Sequence, residues 1–220
     1  VAPRVASADA PLAVTRRVDG RALTEPELKR ALDAAAAGAP SPQLAALTEA
    51  IRAVHRTPPP TELLSDAAPC WRGPHFDRWF GCVTGFSRTS LLADAAAAVP
   101  ELESAAGDVG TPHFCHFDLL PDNFVVHRVG GGVSVVDFEY SAVGQPLMDV
   151  AILAMGCDLS ATQDAILLAS FLELGDSSRV SPTLARRFLA LKALASLREA
   201  LWGAVAEVSG ASAVSGAEAA

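Results

Sequence analysis

Apolar residues recur at helical spacing through most of the chain. The first clear stripe, which follows Ser41-Pro42, comprises Leu44, Leu47, Ile51 and Val54. Intervals of three and four residues place side chains on one face of a helix, and Pro is favoured at the first helical position. This segment therefore predicts an amphipathic helix that ends before the three prolines at 58–60.

The remaining helices are predicted from their start signals. Thr24 with Glu27, and Ser160 with Gln163, have the spacing of capping boxes. These predict helices that run to Gly38 and Gly175. A helix is also predicted for residues 89–106, with an interruption at Pro100. Two more begin at Gln145-Pro146 and Ser181-Pro182. The last has a predicted inward face of Leu184, Phe188, Leu191, Leu194, Leu201 and Val205.

Strand patterns are confined to two places. β-favouring runs at 124–127 and 133–136 flank three consecutive glycines and predict a hairpin. A shorter run at 12–18 predicts one strand, which the Asp19-Gly20 turn signal ends. Residues 61–90 combine aromatic residues with glycine and proline and predict a packed irregular segment. The fold class is therefore α+β and mostly α.

Composition and charge exclude several classes of protein. Half of the 220 residues are hydrophobic and 19% are charged, which is typical of a globular chain. The net charge of −8 argues against a nucleic-acid polymer as partner. No apolar run is long enough to span a membrane, and no secretory signal is visible. The four cysteines lack zinc-site spacing. We therefore expect a cytoplasmic protein with reduced thiols.

The chemistry-bearing residues are concentrated between positions 111 and 149. The order is His116-x-Asp118, then Asn123, and fourteen residues later Asp137-Phe138-Glu139. Transfer of a phosphoryl group needs a carboxylate that orients the attacking hydroxyl, and a carboxylate and an amide that hold Mg²⁺. The predicted hairpin would return Asp137 to the side of the loop that carries Asp118 and Asn123.

Each of these residues also has an ordinary structural interpretation. A single Asp or Asn in a loop is most often turn chemistry. The combination is more specific, because four residue types occur at the spacing of a kinase catalytic loop and in the predicted loop–hairpin context.

The segments FCHFDLLPDNF and VVDFEY resemble the catalytic loop and the metal-binding segment of choline and ethanolamine kinases. The wider aminoglycoside phosphotransferase superfamily shares the framework. The resemblance implies a protein-kinase-like C-terminal lobe with a small β-hairpin at the catalytic loop. It implies that Asp118 is the catalytic base, that His116 supports the loop, that Asn123 and Asp137 bind Mg²⁺, and that Glu139 reaches a second metal or its water shell.

The resemblance extends to further residues with weaker motifs. Asp149 resembles a buried Asp that hydrogen-bonds the catalytic loop, and the alternative is an ordinary helix N-terminal acid. Trp202 and Tyr140 are candidates for lining an acceptor pocket, since a quaternary ammonium favours an aromatic face. For Trp202, core packing on an amphipathic helix is the favoured interpretation.

The N-terminal segment resembles the hinge between the two lobes of a kinase. Its residues Thr15, Arg16, Arg17 and Val18 are the predicted nucleotide contacts. The resemblance divides the chain into a residual N-lobe strand and hinge at 1–23, a catalytic lobe at 24–208 and a frayed tail at 209–220. Its specificity is high only at 114–149.

Two departures from the family pattern affect the expectations. No segment matches the phosphate-covering loop or the strand lysine of the N-terminal lobe, and the chain begins at Val1 without an initiating Met. We therefore expect a fragment or a truncated gene product. Choline kinases also tend to have an acidic residue seven positions after the helix Asp, where this chain has Gly156, with Asp158 nearby.

The resemblance implies an ATP- and Mg²⁺-dependent kinase that phosphorylates a small-molecule alcohol. A choline-like amino alcohol is the first candidate acceptor, and an aminoglycoside is the second. Asp118, Glu139 and Asp158 would suit a cationic acceptor. A catalytically silent, kinase-derived binding module is the alternative from another class.

Overall fold

The computed structural model describes residues 5–9, 12–15, 17–59, 90–107 and 113–208. The predicted nucleotide contact Arg16 and the predicted tail at 209–220 lie outside these residues. So does the predicted irregular segment, apart from Ser90. None of the helices in the described part of the chain is long and apolar enough to cross a membrane.

Six α-helices form most of the described structure. They are α1 (Glu25–Ala36), α2 (Pro42–His55), α3 (Ser90–Ala106), α4 (Pro146–Gly156), α5 (Ala161–Phe171) and α6 (Pro182–Val208). The two predicted capping boxes are present at the starts of α1 and α5. The mostly α-helical class predicted from the sequence is confirmed.

The described residues also form seven short strands. They are β1 (Val5–Asp9), β2 (Leu12–Thr15), β3 (Gly20–Ala22), β4 (His113–Cys115), β5 (Phe124–His127), β6 (Val133–Val135) and β7 (Ala142–Gly144). β1 pairs with β2, β3 with β5, β5 with β6, and β4 with β7, all antiparallel. The predicted hairpin is therefore β5–β6, and it has a third strand, β3, along its edge.

The prediction that Asp19-Gly20 ends a strand at residue 18 was wrong. Strand β2 ends at Thr15, and Gly20 begins β3 opposite His127 of β5. A Cβ atom at position 20 would lie 2.4 Å from the backbone oxygen of Val126. Glycine is needed at position 20 because the backbone of β5 approaches it closely. The Asp19-Gly20 pair is therefore explained by strand pairing and not by a turn that ends a strand.

The predicted helical stripes pack into one core. The four stripe residues of α2 are buried, as are four of the six predicted for α6: Phe188, Leu191, Leu194 and Leu201. Leu184 is only partly buried, and the side chain of Val205 is not among those that the structure describes. α4 is the most deeply buried helix, and α6 packs along it.

The predicted interruption of the helix at Pro100 was also wrong. α3 continues through this residue from Ser90 to Ala106, and Pro100 is exposed. An internal proline removes one backbone hydrogen bond and costs about 3 kcal/mol, but a long helix with other contacts can absorb that cost. Here the other contacts come from α6, against which α3 packs. Helices α1 and α5 end two and four residues before their predicted glycines.

Candidate active site

The loop between β4 and β5 is anchored by a buried carboxylate on α4. Asp149, in the first turn of α4, is completely buried. Its Oδ2 accepts a hydrogen bond from the backbone N of His116 (2.8 Å), and its Oδ1 accepts one from the backbone N of Phe117 (2.7 Å). Of the two interpretations open for Asp149, the geometry matches the loop anchor.

His55, which the sequence analysis did not single out, completes this anchor. Its Nε2 donates to Asp149 Oδ2 at 2.9 Å, and its ring meets Phe171 edge-on at 5.6 Å. Burial acts to raise the pKa of Asp149, but the hydrogen bond and charge of His55 and the loop donors outweigh it, so the pKa lies below its usual value. Asp149 is therefore held as a carboxylate.

The anchor also supports an uncommon backbone conformation. Phe117 has a φ of +62° and is completely buried. A bulky residue in the left-handed region costs about 1–3 kcal/mol and persists only where its surroundings require it. The hydrogen bonds that the backbone N–H groups of His116 and Phe117 donate to Asp149 supply that requirement. The next side chain, Asp118, lines the cavity beside the loop.

His116 joins the loop to the segment that follows the hairpin. Its Nε2 donates to the backbone oxygen of Val136 at 2.9 Å, and its ring lies 4.7 Å from that of Phe138. The backbone N of Val136 in turn donates to the backbone oxygen of Asn123 (3.0 Å). These two bonds bring Asp137 next to the loop, as the sequence predicted from the hairpin.

Asn123 fixes the Asp118 side chain. Its Nδ2 donates to the backbone oxygen (2.7 Å) and to Oδ2 (2.9 Å) of Asp118. Because both partners are acceptors, the amide NH₂ must face Asp118, and the amide oxygen is directed elsewhere. Burial raises the pKa of Asp118, and the neighbouring Asp137 acts in the same direction, while Arg198, His116 and Asn123 oppose them.

The remaining acidic residues of the site are exposed. Asp137 has a φ of +64°, which Asp tolerates better than most residues, and Glu139 lies in the turn that follows. Together with the free amide oxygen of Asn123, they form a set of hard oxygen donors, the type that Mg²⁺ prefers. The donor chemistry is therefore compatible with the predicted metal.

A cavity of about 240 Å³ opens beside Asp118. Its other lining residues are Leu120, Glu139, Tyr140, Arg198, Glu199 and Trp202. The structure thus brings both candidate aromatic residues next to the loop. Trp202 is 41% exposed and lines the cavity together with Tyr140. The favoured interpretation of Trp202 as a core residue was therefore wrong, because its indole forms part of the cavity wall.

Arg198 is the second functional candidate that the sequence analysis missed. It is buried on α6, and its guanidinium carbon lies 5.8 Å from the ring centroid of Phe117 and 5.9 Å from that of Tyr140. The signal was available, since Arg198 stands between Leu194 and Leu201 on the predicted inward stripe. A charge at a core position is uncommon unless it has a partner or a function.

Other predicted residues are not brought to this cavity. Asp158 is exposed and does not line it. At Gly156 an added Cβ would lie 2.7 Å from Leu120 Cδ2, so the Leu120 side chain covers this position. Of the predicted hinge contacts, Arg17 is exposed, Val18 is partly buried and Thr15 ends β2. Their assignment to a nucleotide stays a prediction.

The arrangement defines a class of protein. A helical lobe that presents His-x-Asp and Asn on an anchored loop, beside a hairpin that leads to a further Asp, is the catalytic half of the protein-kinase-like fold. A model of the "Phosphotransferase enzyme family" matches residues 2–186, and the chain belongs to this family. No curated protein sequence gives a significant match.

Solved structures with the same fold include kinases of two substrate groups. A choline/ethanolamine kinase family protein from Mesorhizobium loti matches with a TM-score of 0.69 and 23% identity, over 96% of this chain and 66% of that one. A Plasmodium vivax ethanolamine kinase matches with a TM-score of 0.71 and 16% identity, over 93% and 62%. The GDP complex of aminoglycoside 2'-phosphotransferase-IIIa matches with a TM-score of 0.61 and 18% identity, over 94% of this chain and 70% of that one. The chain thus spans less than two thirds of the first two proteins.

Proposed function

We propose that this chain is the catalytic lobe of a kinase that transfers the γ-phosphate of ATP, with Mg²⁺, to the hydroxyl of a small amino alcohol. Choline and ethanolamine are the first candidate acceptors. One observation carries the proposal: Asp118 is oriented by Asn123, lies beside Asp137 and opens into a cavity lined by aromatic and acidic side chains.

In this proposal Asp118 accepts the proton of the acceptor hydroxyl as the oxygen attacks phosphorus. The hydrogen bond from Asn123 holds the Asp118 carboxylate in one orientation, and the buried Asp149 keeps the loop beneath it in place. Positioning of this kind is the main contribution a protein makes to phosphoryl transfer. Asn123, Asp137 and Glu139 are the proposed metal ligands, and Mg²⁺ would supply charge neutralisation at the phosphates.

Nucleotide binding has independent but coarser support. The structurally similar aminoglycoside 2'-phosphotransferase-IIIa was solved with GDP, which is consistent with a purine nucleotide for this chain. The predicted contacts are Thr15, Arg16, Arg17 and Val18. We propose ATP, with GTP as the alternative.

The size and charge of the cavity support a small cationic acceptor. Its volume of about 240 Å³ is below the range of about 300–1,000 Å³ in which drug-sized ligands bind. The rings of Tyr140 and Trp202 offer π-faces to a quaternary or primary ammonium group. Both features favour an amino alcohol over an aminoglycoside.

The test is a transfer assay with labelled ATP and Mg²⁺ against choline, ethanolamine and a panel of aminoglycosides. Asp118→Asn is the matched variant, because it keeps the size and the polar shape of the side chain. We expect transfer to an amino alcohol, with a rate about 10²–10⁴-fold lower in the variant, as for loss of a general base.

The aminoglycoside alternative is supported by the acidic lining of the cavity, which also suits polyamines, and it is a separate arm of the same assay. Transfer to no acceptor would contradict the proposal and favour the silent binding module. An unchanged rate in Asp118→Asn would contradict the assigned role of that residue.

A further inference from the structure

The cavity beside Asp118 is lined by more carboxylates than have a role in the proposed phosphoryl transfer. Three carboxylates line it, Asp118, Glu139 and Glu199, together with one guanidinium, that of Arg198. The proposed reaction assigns roles to Asp118 and Glu139. Glu199 has no role in it, and it holds none of the hydrogen bonds that fix the loop.

The guanidinium of Arg198 compensates only part of this charge. Arg198 is 6% exposed and lies behind the cavity surface, against the rings of Phe117 and Tyr140. Among the described residues of the lining, one guanidinium and three carboxylates leave a net negative charge. Burial raises the pKa of Glu199, the charge of Asp118 adds to this effect, and Arg198 opposes it. A cation in the cavity would therefore relieve repulsion among these three carboxylates.

The position of Glu199 on α6 places its carboxylate beside an aromatic surface. Glu199 and Trp202 are three residues apart, so their side chains are neighbours on one face of the helix. Tyr140 lines the same cavity as Glu199 and Trp202. Glu199 remains accessible to solvent, whereas Arg198 does not. A carboxylate next to two aromatic rings is a combination that binds an ammonium group.

We propose that Glu199 is the residue that selects a cationic acceptor, by pairing with the ammonium group of an amino alcohol whose hydroxyl reaches Asp118. This inference rests on the proposed function, because it names the charge of that reaction's acceptor. It assigns to α6 the selection of the acceptor and to the loop at 116–123 the transfer itself.

The test compares choline with its neutral carbon isostere, 3,3-dimethylbutan-1-ol, by isothermal titration calorimetry. The two probes have the same shape and the same hydroxyl, and they differ in charge. We expect Glu199→Gln to raise the Kd of choline about tenfold, the effect typical of losing one interaction with a charged group. The Kd of the neutral alcohol should change less than twofold.

Glu101→Gln is the matched control, since it removes one negative charge from an exposed position on α3 that does not line the cavity. It should leave both Kd values unchanged. An equal loss for both probes in Glu199→Gln would overturn the inference, because the effect would then be one of shape. An unchanged Kd for choline would overturn it as well, and so would the absence of choline and ethanolamine binding to the unmodified protein.

Failure of the proposed function gives a different result. Choline binding that depends on Glu199, without transfer of phosphate from ATP, would support the inference and contradict the kinase activity. Transfer to choline with the same KM in the unmodified protein and in Glu199→Gln would support the activity and overturn the inference.

Discussion

The two walls of the cavity beside Asp118 are built in opposite ways. On the loop side, Asp149 is completely buried and accepts hydrogen bonds from two backbone N–H groups and from His55. On the α6 side, Glu199 and Trp202 are exposed. The loop side has the polar contacts that its backbone needs, whereas the α6 side has charge and aromatic surface that the fold does not require.

This difference separates stability from selectivity. A buried polar group that loses its partner costs free energy in the folded state, so substitutions below the loop should first affect folding. Exposed side chains contribute little to stability, so substitutions on α6 should first affect what the cavity binds.

The strongest test of the comparison is Asp149→Asn. The amide cannot accept from three donors as the carboxylate does, and its NH₂ group would face the backbone N–H groups of the loop. We expect a loss of about 3–5 kcal/mol in the free energy of unfolding, measured by urea denaturation. Asp158→Asn, at an exposed position with a φ of +45° that Asn also tolerates, should change it by less than about 0.5 kcal/mol. Equal effects would break the comparison.

Acidification should remove part of the same contribution from the unmodified protein. The pKa of Asp149 is lower in the folded state than its usual value of 3.8. A lowered carboxyl pKa contributes stability that is fully present above the unfolded value and is lost as the pH falls through the folded value. Stability should therefore fall below about pH 3.8, and more steeply in the unmodified protein than in Asp149→Asn. Parallel pH profiles of the unfolding midpoint would contradict this.

Substitution of His55 should have a smaller effect on stability, and it tests the hydrogen bond from His55 to Asp149. His55→Leu removes the Nε2–H donor and should cost about 1–3 kcal/mol, because one oxygen of Asp149 loses a buried hydrogen bond. His55→Gln carries an amide NH₂ at a similar reach and should recover part of this loss. If Leu and Gln were equally destabilising in thermal unfolding, the hydrogen bond would not be the source of the effect.

The same comparison explains which parts of the site the sequence could predict. Asp118, Asn123 and Asp137 lie within one loop and one hairpin, so spacing alone brings them together. The partner of Asp149 is 94 residues away, and no local pattern connects it to the loop. His55 follows Ile51 by four residues and so extends an inward-facing stripe. A polar residue at such a position marks a buried contact but does not identify its partner.

The α6 wall was harder to predict for a related reason. Trp202 follows the buried Leu201 directly, and a step of one residue turns the side chain about 100° around the helix. Its place off the inward stripe was therefore visible in the sequence. That it faces the loop follows only from the packing of α6 along α4, which brings the end of α6 to Asp118.

A small effect on stability, and a clear one on binding, is expected for Trp202→Leu. The indole is 41% exposed, so its replacement by an apolar residue should change the free energy of unfolding by less than about 1 kcal/mol. The π-face is lost, however, and a cation–π contact contributes about 0.5–2 kcal/mol. We therefore expect choline affinity to fall about twofold to thirtyfold by calorimetry, with Trp202→Phe intermediate because its ring keeps a weaker face. A large loss of stability in Trp202→Leu would mean that this wall supports the fold after all, and the two sides of the cavity would then not differ in the way proposed.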